Sequence, residues 1–371
     1  MTGAQGPLKT SNDSESDAFA DSAVGDASRP GVGVRVERVD SLEALHDDWS
    51  TLETAGSIFG TWEWADTWWR HYAPKAELLV HTCRDEHGCL VTVLPLYAWR
   101  RRLPRVVRFI GHGPGDELGP VHMPGCHARA AEGLRLALAS LEWDIFLAEQ
   151  LPGALPWTAL LGGRQWRREA SPVLRVPAGG WPEYLDSRTK NFKQQLRRRR
   201  TALTRAGKLC FRLADEGTLD RDLDTLFRLH SARWVGRQTD FSDTPFHREF
   251  ARRAMALGWL RLWVLELDGR SIAAWYGFHV GDVVSYYQAG RDPSLDRLSL
   301  GFVLMAHTLQ CAMEEGATDY RFGRGAEAFK YRFASADPSV TTVVLPRGLL
   351  GHATVTGAAV ARRGRRLLRS A

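Results

Sequence analysis

Residues whose types and spacing could do chemistry gather between Val283 and Phe333. A strand-like run, Val283 to Gln288, leads through the polar loop Arg291 to Arg297 into a helix that begins near Ser299. Such a helix start presents free backbone N–H groups and the positive end of a dipole, which suits a phosphate. Ser299 is expected to cap it, Gly301 to admit close approach, and Arg291 and Arg297 to add charge-assisted bonds. On the residues alone, an ordinary capped helix after a turn explains the pattern equally well. Further on, Glu327 and Lys330 stand three apart after Gly323-Arg324-Gly325, so one helical turn would put them on one face. If buried, Glu327 could accept a proton and Lys330 could hold a carboxylate or phosphate; if exposed, they are a surface ion pair, which the residues alone favour. Tyr286 and Tyr287 alternate across their strand, so one is expected to face a cleft, where it either protonates a departing thiolate or simply packs.

Other candidates are more isolated. Asp116, in the glycine-rich run His112 to Asp116, reads either as a substrate contact or as a turn-forming aspartate. Arg233 and Trp234 end a helix that could contribute to an acceptor pocket. His112, His230, His279 and His307 have no partner at a metal-ligand spacing, so they are read as structural and no metal is expected. The block Arg197 to Arg200 should point round all sides of its helix, a solvated face. The 14 tryptophans are read mainly as core and interface residues, with those from Trp62 to Trp69 alternatively lining a cleft.

The elements that must position these groups follow from periodicity. In the first half, strand 34–39, a helix capped by Ser41, an aromatic helix 62–72, a hairpin of strands 78–84 and 89–99, strand 106–110, helix 127–141, strand 143–147, a short helix near 155–161 and strand 174–176 are predicted. The second half opens with one long basic helix, 181–206, ended by Gly207, and continues with strand 210–213 and helices 219–235 and 245–257. An antiparallel meander of strands 260–267, 272–279 and 283–288 comes next, then a helix 300–315 with one buried face and strands 320–322 and 341–345. Both halves share an order of strand, helices, hairpin, helix, strand. They are expected to be two related mixed α/β modules, each a twisted, largely antiparallel sheet flanked by helices, at residues 31–178 and 179–346. A flexible leader, 1–30, and a basic tail, 347–371, flank them.

A chain of 371 residues with 44% hydrophobic content suits two cored domains. The opening residues have no secretory pattern, and no run of roughly 18 apolar residues occurs, so a cytoplasmic protein without a transmembrane segment is expected. Five scattered cysteines suggest neither a disulfide framework nor a thiolate zinc site. The net charge of +6 is concentrated at Arg197 to Arg200 and in the tail, where arginine blocks attract anions: nucleic acid, anionic lipid or phosphorylated cofactors.

The runs Tyr286 to Asp292, Leu298-Ser299-Leu300-Gly301, Glu315 to Gly325, and Glu327 with Phe329-Lys330 resemble the GNAT-fold acetyltransferases of the CelD/BcsL (BioF2-like) type. The two-module layout also resembles the tandem FemAB-like acyltransferases. The sequence departs from the family pattern at Phe329, where a tyrosine is usual, and at Tyr320-Arg321-Phe322. The resemblance implies acetyl- or acyl-coenzyme A as co-substrate. Its pantetheine would lie beside the strand Val283 to Gln288 and its pyrophosphate at Ser299 to Gly301, so that Tyr286, Gln288, Gly290, Arg291, Ser299 and Gly301 are the implied cofactor-binding residues, with Glu327, Tyr287 and Lys330 as catalytic candidates. An amine acceptor, an amino sugar or cell-envelope or polysaccharide precursor, is implied. Under the FemAB alternative the donor is charged tRNA, the one setting in which a nucleic-acid partner is expected. A third reading is a non-catalytic module that binds a partner or a membrane surface through its basic tail.

Overall fold

The computed structural model describes residues 34–52, 56–73, 75–100, 102–153, 155–233 and 241–370. The expected leader and Trp234 lie outside these residues, as does the side chain of Arg233. Among the described residues sixteen strands form three hydrogen-bonded sheets. In the first half they are β1 (Arg35–Val39), β2 (Ala76–Leu78), β3 (Val80–Arg84), β4 (Leu90–Leu94), β5 (Leu96–Trp99), β6 (Val106–Phe109), β7 (Val121–His122), β8 (Ile145–Pro152), β9 (Arg164–Glu169) and β10 (Val173–Arg175). The second half holds β11 (Leu209–Leu213), β12 (Leu260–Leu267), β13 (Arg270–Val280), β14 (Val283–Arg291), β15 (Asp319–Arg321) and β16 (Val340–Pro346). The predicted hairpin is present but broken at Leu79 and Pro95, so its two ends serve different sheets: β1-β3-β4-β7 and β2-β5-β6-β8-β16-β9. Strand β9, which carries three arginines and no alternating apolar pattern, was not predicted.

The two halves repeat one topology. In each, an antiparallel meander ends in a strand (β6 or β14) that pairs in parallel with the strand after the next helix (β8 or β15). The strand beyond is exchanged. β10, from the first half, pairs with β15, and β16, from the second, inserts between β8 and β9. The sheets therefore cross a boundary drawn at residue 178, and the two halves are stapled together by reciprocal strands.

Among the described residues ten helices cover the sheets: α1 (His46–Ser50), α2 (Trp62–Tyr72), α3 (His127–Ser140), α4 (Trp157–Leu161), α5 (Gly180–Ser187), α6 (Lys190–Ala206), α7 (Leu219–Arg233), α8 (Pro245–Ala256), α9 (Leu300–Glu314) and α10 (Gly348–Ser370). The long basic helix expected over 181–206 is two, because Thr189 adopts extended backbone angles and its hydroxyl accepts from the Phe192 amide, capping a new helix. Helix α9 was expected to bury one face. It buries Leu300, Phe302, Val303, Leu304, Met305, Ala306, Leu309 and Met313, since it lies between β13–β14 and the pair α5–α6. Trp49, Trp64 and Trp68 are fully buried in a core shared by α2, α7, α8 and the meander β12–β14, which joins the two halves. The tryptophans of α2 thus form the interface rather than a cleft. The expected tail is the helix α10, which buries Val355 against Ile145 and Val344 on the outer face of the first-half sheet.

Candidate active site

Strand β14 is paired on both sides only at its start. Its parallel pairing with β15 covers Val283 to Ser285, after which β15 turns away and Tyr286 to Arg291 face β13 alone. The opened edge is lined by Trp275, Tyr286, Ala289, Gly290 and Arg291, and it continues to Ser299, Gly301 and Phe302 as a groove of about 270 Å³. Alternate backbone groups of such an edge seek a partner, so an extended polar chain laid along it would be held as an added strand.

The groove ends at the start of α9. Ser299 occupies the cap position in the left-handed region, at φ 56°, and its hydroxyl makes no cap bond, contrary to the expected role. The amides of Phe302 and Val303 close on the Ser299 carbonyl, at 3.0 and 3.3 Å. Those of Leu300 and Gly301 precede the first helical bond and remain for an anion. A Cβ on Gly301 would meet nothing nearer than 3.9 Å, so the approach is open. The Arg291 guanidinium, expected to meet a phosphate, lines the groove and pairs through one nitrogen with Asp296 at 2.7 Å. Arg332 lies over the Phe302 ring at 4.1 Å and lines the groove as a cation with no carboxylate partner among the described residues. Gly290 serves packing as well: a Cβ there would sit 2.4 Å from the His230 backbone nitrogen, so the close approach of α7 to β14 requires glycine.

At its inner end the groove meets a second, polar cavity of about 210 Å³, and Tyr286 and Phe329 line both. The polar cavity draws on both halves of the chain: Pro114 and Asp116 from the first, His230, Tyr287, Gln288, Arg324, Glu327 and Lys330 from the second. Tyr286 and Tyr287 were expected to alternate, one in the cleft and one away. Both line it, because β14 bulges here: Tyr276 lies opposite Gln288 and Gly277 opposite Tyr286, which leaves Tyr287 as the extra residue.

The Asp116 side chain is 19% exposed, with Oδ1 3.3 Å from Arg324 Nε. Its Oδ2 accepts from the Arg324 amide at 3.2 Å. Burial outweighs these attractions and pushes the carboxyl above its ordinary range. Arg324 is itself braced. With its nitrogen donating to the Gly115 carbonyl at 2.7 Å, the Gln150 amide oxygen accepts from the Arg324 guanidinium. The loop bearing Asp116 is held from below. The Trp68 indole donates to the His112 carbonyl at 2.9 Å. The Tyr287 hydroxyl donates to the Pro114 carbonyl at 3.0 Å, and His247 Nε2 lies 3.2 Å from the same hydroxyl. On its other side His247 Nδ1 lies 3.0 Å from the Ser242 carbonyl and 2.9 Å from the Thr244 hydroxyl, so the ring is held by both of its nitrogens. Burial holds His247 down to about 4 and raises Tyr287 well above the usual phenol range. Tyr287 is thus a neutral brace for the Asp116 loop, not a free acid for a thiolate.

Glu327 and Lys330 do share one turn, but with roles unlike those expected. Lys330 is 3% exposed, and its ammonium donates to the carbonyls of Gly323, Arg324 and Gly325, at 3.2, 2.7 and 3.4 Å, and pairs with Glu327 at 2.8 Å. That ammonium ties down the loop that carries Arg324 and has no valence left for a substrate carboxylate or phosphate. Glu327 is 49% exposed rather than buried. Of the Arg197 to Arg200 block, Arg199 turns inward over Phe302, while Arg197 and Arg198 join Lys190, Lys193 and Arg205 along a surface groove.

Residues 190–331 match the family described as Acetyltransferase (GNAT) domain. The matched residues contain the open strand edge, the start of α9 and Lys330, while Asp116 reaches its cavity from outside them. The repeat of strand order makes the whole a tandem GNAT-like fold. In the first half the matching gap between β6 and β8 is filled by its own chain: the Leu118 amide donates to the Gln150 carbonyl at 3.0 Å and the Leu118 side chain packs with Phe109 and Leu151. No curated protein matches the sequence. In fold the chain is similar to FemX, at 11% identity over 84% of this chain and 97% of that one, with a TM-score of 0.58. It is likewise similar to L-PGS from Bacillus licheniformis, at 15% identity over 87% and 96%, with a TM-score of 0.53. Among the described residues no group of three His, Cys, Asp or Glu could hold a metal ion, and no helix is long and apolar enough to cross a membrane.

Of the residues around Asp116, His230, His247 and Gln150 had no signal as site residues. His230 continues the apolar face Leu219, Leu223, Leu226 of α7, and that register was the one available hint.

Proposed function

We propose that the protein is an N-acyltransferase that moves an acetyl or acyl group from a coenzyme A thioester to an amine. The observation that carries this reading is the meeting of the donor-shaped groove with the polar cavity at Tyr286 and Phe329. A thioester laid along β14, its phosphates at Leu300 and Gly301, would bring its carbonyl to that junction. An amine in the polar cavity would attack it there. The C–N bond forms, the C–S bond breaks with coenzyme A leaving as its thiolate, and the proton lost by nitrogen passes to the Asp116 carboxylate, whose raised pKa makes it a stronger base than an ordinary carboxylate. Most of the rate would come from holding the two reactants in register. The acceptor class suggested by the family resemblance, an amino sugar or envelope precursor, is part of this proposal. So is acyl-coenzyme A as donor.

A screen of coenzyme A thioesters by thermal stabilisation, followed by turnover with amine acceptors, tests the reading. Stabilisation by at least one thioester is expected; none, across short and long acyl chains, refutes it. The FemAB-type alternative draws support from the stripe of Lys190, Lys193, Arg197, Arg198 and Arg205 on α6, which suits a phosphate backbone. Transfer from coenzyme A with no RNA present would exclude that alternative.

A further inference from the structure

We propose that the end of the molecule formed by the β5–β6 turn and the start of α10 is a docking surface for an anionic lipid bilayer. Two leucines stand out among the described apolar residues: Leu103, 82% exposed, and Leu349, 93% exposed. They are far apart in sequence, yet one residue ties them together. Asp144 donates its amide to the Arg105 carbonyl at 2.9 Å, its carboxylate accepts from the Arg105 amide at 2.6 Å, and its carbonyl accepts from the Arg347 amide at 2.7 Å. Each leucine is two residues from one of those arginines, so the two lie within about 25 Å of one another around Asp144.

The surroundings are those of an interface between water and lipid. Arg100, Arg102 and Arg347 are exposed at this edge. Arg102 lies over the Trp99 ring at 5.3 Å, Arg347 over Trp143 at 5.5 Å and, further along α10, Arg362 over Trp166 at 5.6 Å. All three indoles are partly exposed. Tryptophan with a cation beside it, next to an unsupported leucine, is the composition that sits at headgroup depth, the aliphatic group entering the acyl region and the arginine meeting lipid phosphate. The nearby acids do not cancel this charge: Glu77 is taken by Arg38 and Arg105, Asp144 is bonded as described, and Glu142 alone stays exposed and unpaired. From Arg347 to the end, the sequence holds arginines at 347, 362, 363, 365, 366 and 369 and no Asp or Glu. A nucleic acid would be met by the same charge but would leave Leu103 and Leu349 without a role.

The full-length protein is sedimented with vesicles of pure phosphatidylcholine and with vesicles in which phosphatidylglycerol replaces part of it. Binding to the anionic vesicles, weakened by salt, is expected. The pair L103D/L349D should lower that binding by about tenfold or more while keeping the wild-type melting temperature, since both sites are exposed. L103S/L349S stands in if the charged pair alters folding. Equal affinity for both vesicle types, no binding at all, or wild-type binding by the leucine variants overturns the proposal. So does displacement of the vesicles by tRNA from a protein whose leucines prove irrelevant, which would mark a nucleic-acid face. None of these outcomes depends on the identity of the acyl donor.

Discussion

Replacing Asp116 with asparagine separates chemistry from folding. The amide keeps the shape and can still accept from the Arg324 backbone N–H, but it cannot take a proton. Loss of a positioned general base lowers turnover by roughly 10²- to 10⁴-fold, equivalent to about 3–5 kcal/mol of barrier. Stability should move the other way. Burial raises the Asp116 pKa in the folded state above its unfolded value of 3.8, so between those two values the native protein holds more protons than the unfolded chain. Stability contributed by this group is therefore present at low pH and lost as pH rises through the folded pKa. Above its folded pKa the wild type carries a buried carboxylate at a net cost, and D116N removes it. The variant should melt at or above the wild-type temperature while thermal stabilisation by the coenzyme A thioester is retained. Steady-state turnover and a melting curve on the same sample decide the matter. A variant that keeps turnover within a factor of about three, or that loses activity and melting temperature together, refutes Asp116 as the base.

A carboxylate introduced by G301D at the start of α9 should weaken binding of a coenzyme A thioester by about tenfold or more, read by titration, without unfolding the chain because the space is open. K330M should destabilise by roughly 2–4 kcal/mol in denaturant, since three loop carbonyls lose their donor, whereas E327Q, half-exposed, should cost less than about tenfold in turnover; the reverse order would restore Glu327 as the base. His247, buried and neutral with its pKa lowered from 6.5 to about 4, makes the folded state lose stability as pH falls from 6.5 towards 4, by up to about 3 kcal/mol. In H247Q, denaturation midpoints across that window should fall less steeply.

The groove beside β14 was legible because its parts are consecutive in the chain. A strand, a polar loop and a helix start, Val283 to Gly301, place an extended edge beside free amides whatever surrounds them, and hydrogen-bond geometry is local. The two-module order could be read for the same reason, from periodicity within each half. What depended on distant partners could not. Tyr287 turned into the cleft because of a bulge set by pairing with Gly277, Glu327 was left exposed by Lys330's bonds to the Gly323–Gly325 loop, and α9 was buried on most sides by helices that the sequence alone does not bring to it. The base candidate shows the limit most clearly. Asp116 and Arg324 are 208 residues apart, and the desolvation that raises one carboxyl exists only after exchanged strands have closed the two halves over it. Residue types and local hydrogen bonding determined which chemistry this chain can attempt; burial, which is a property of the assembled fold, decided which side chains are placed to attempt it.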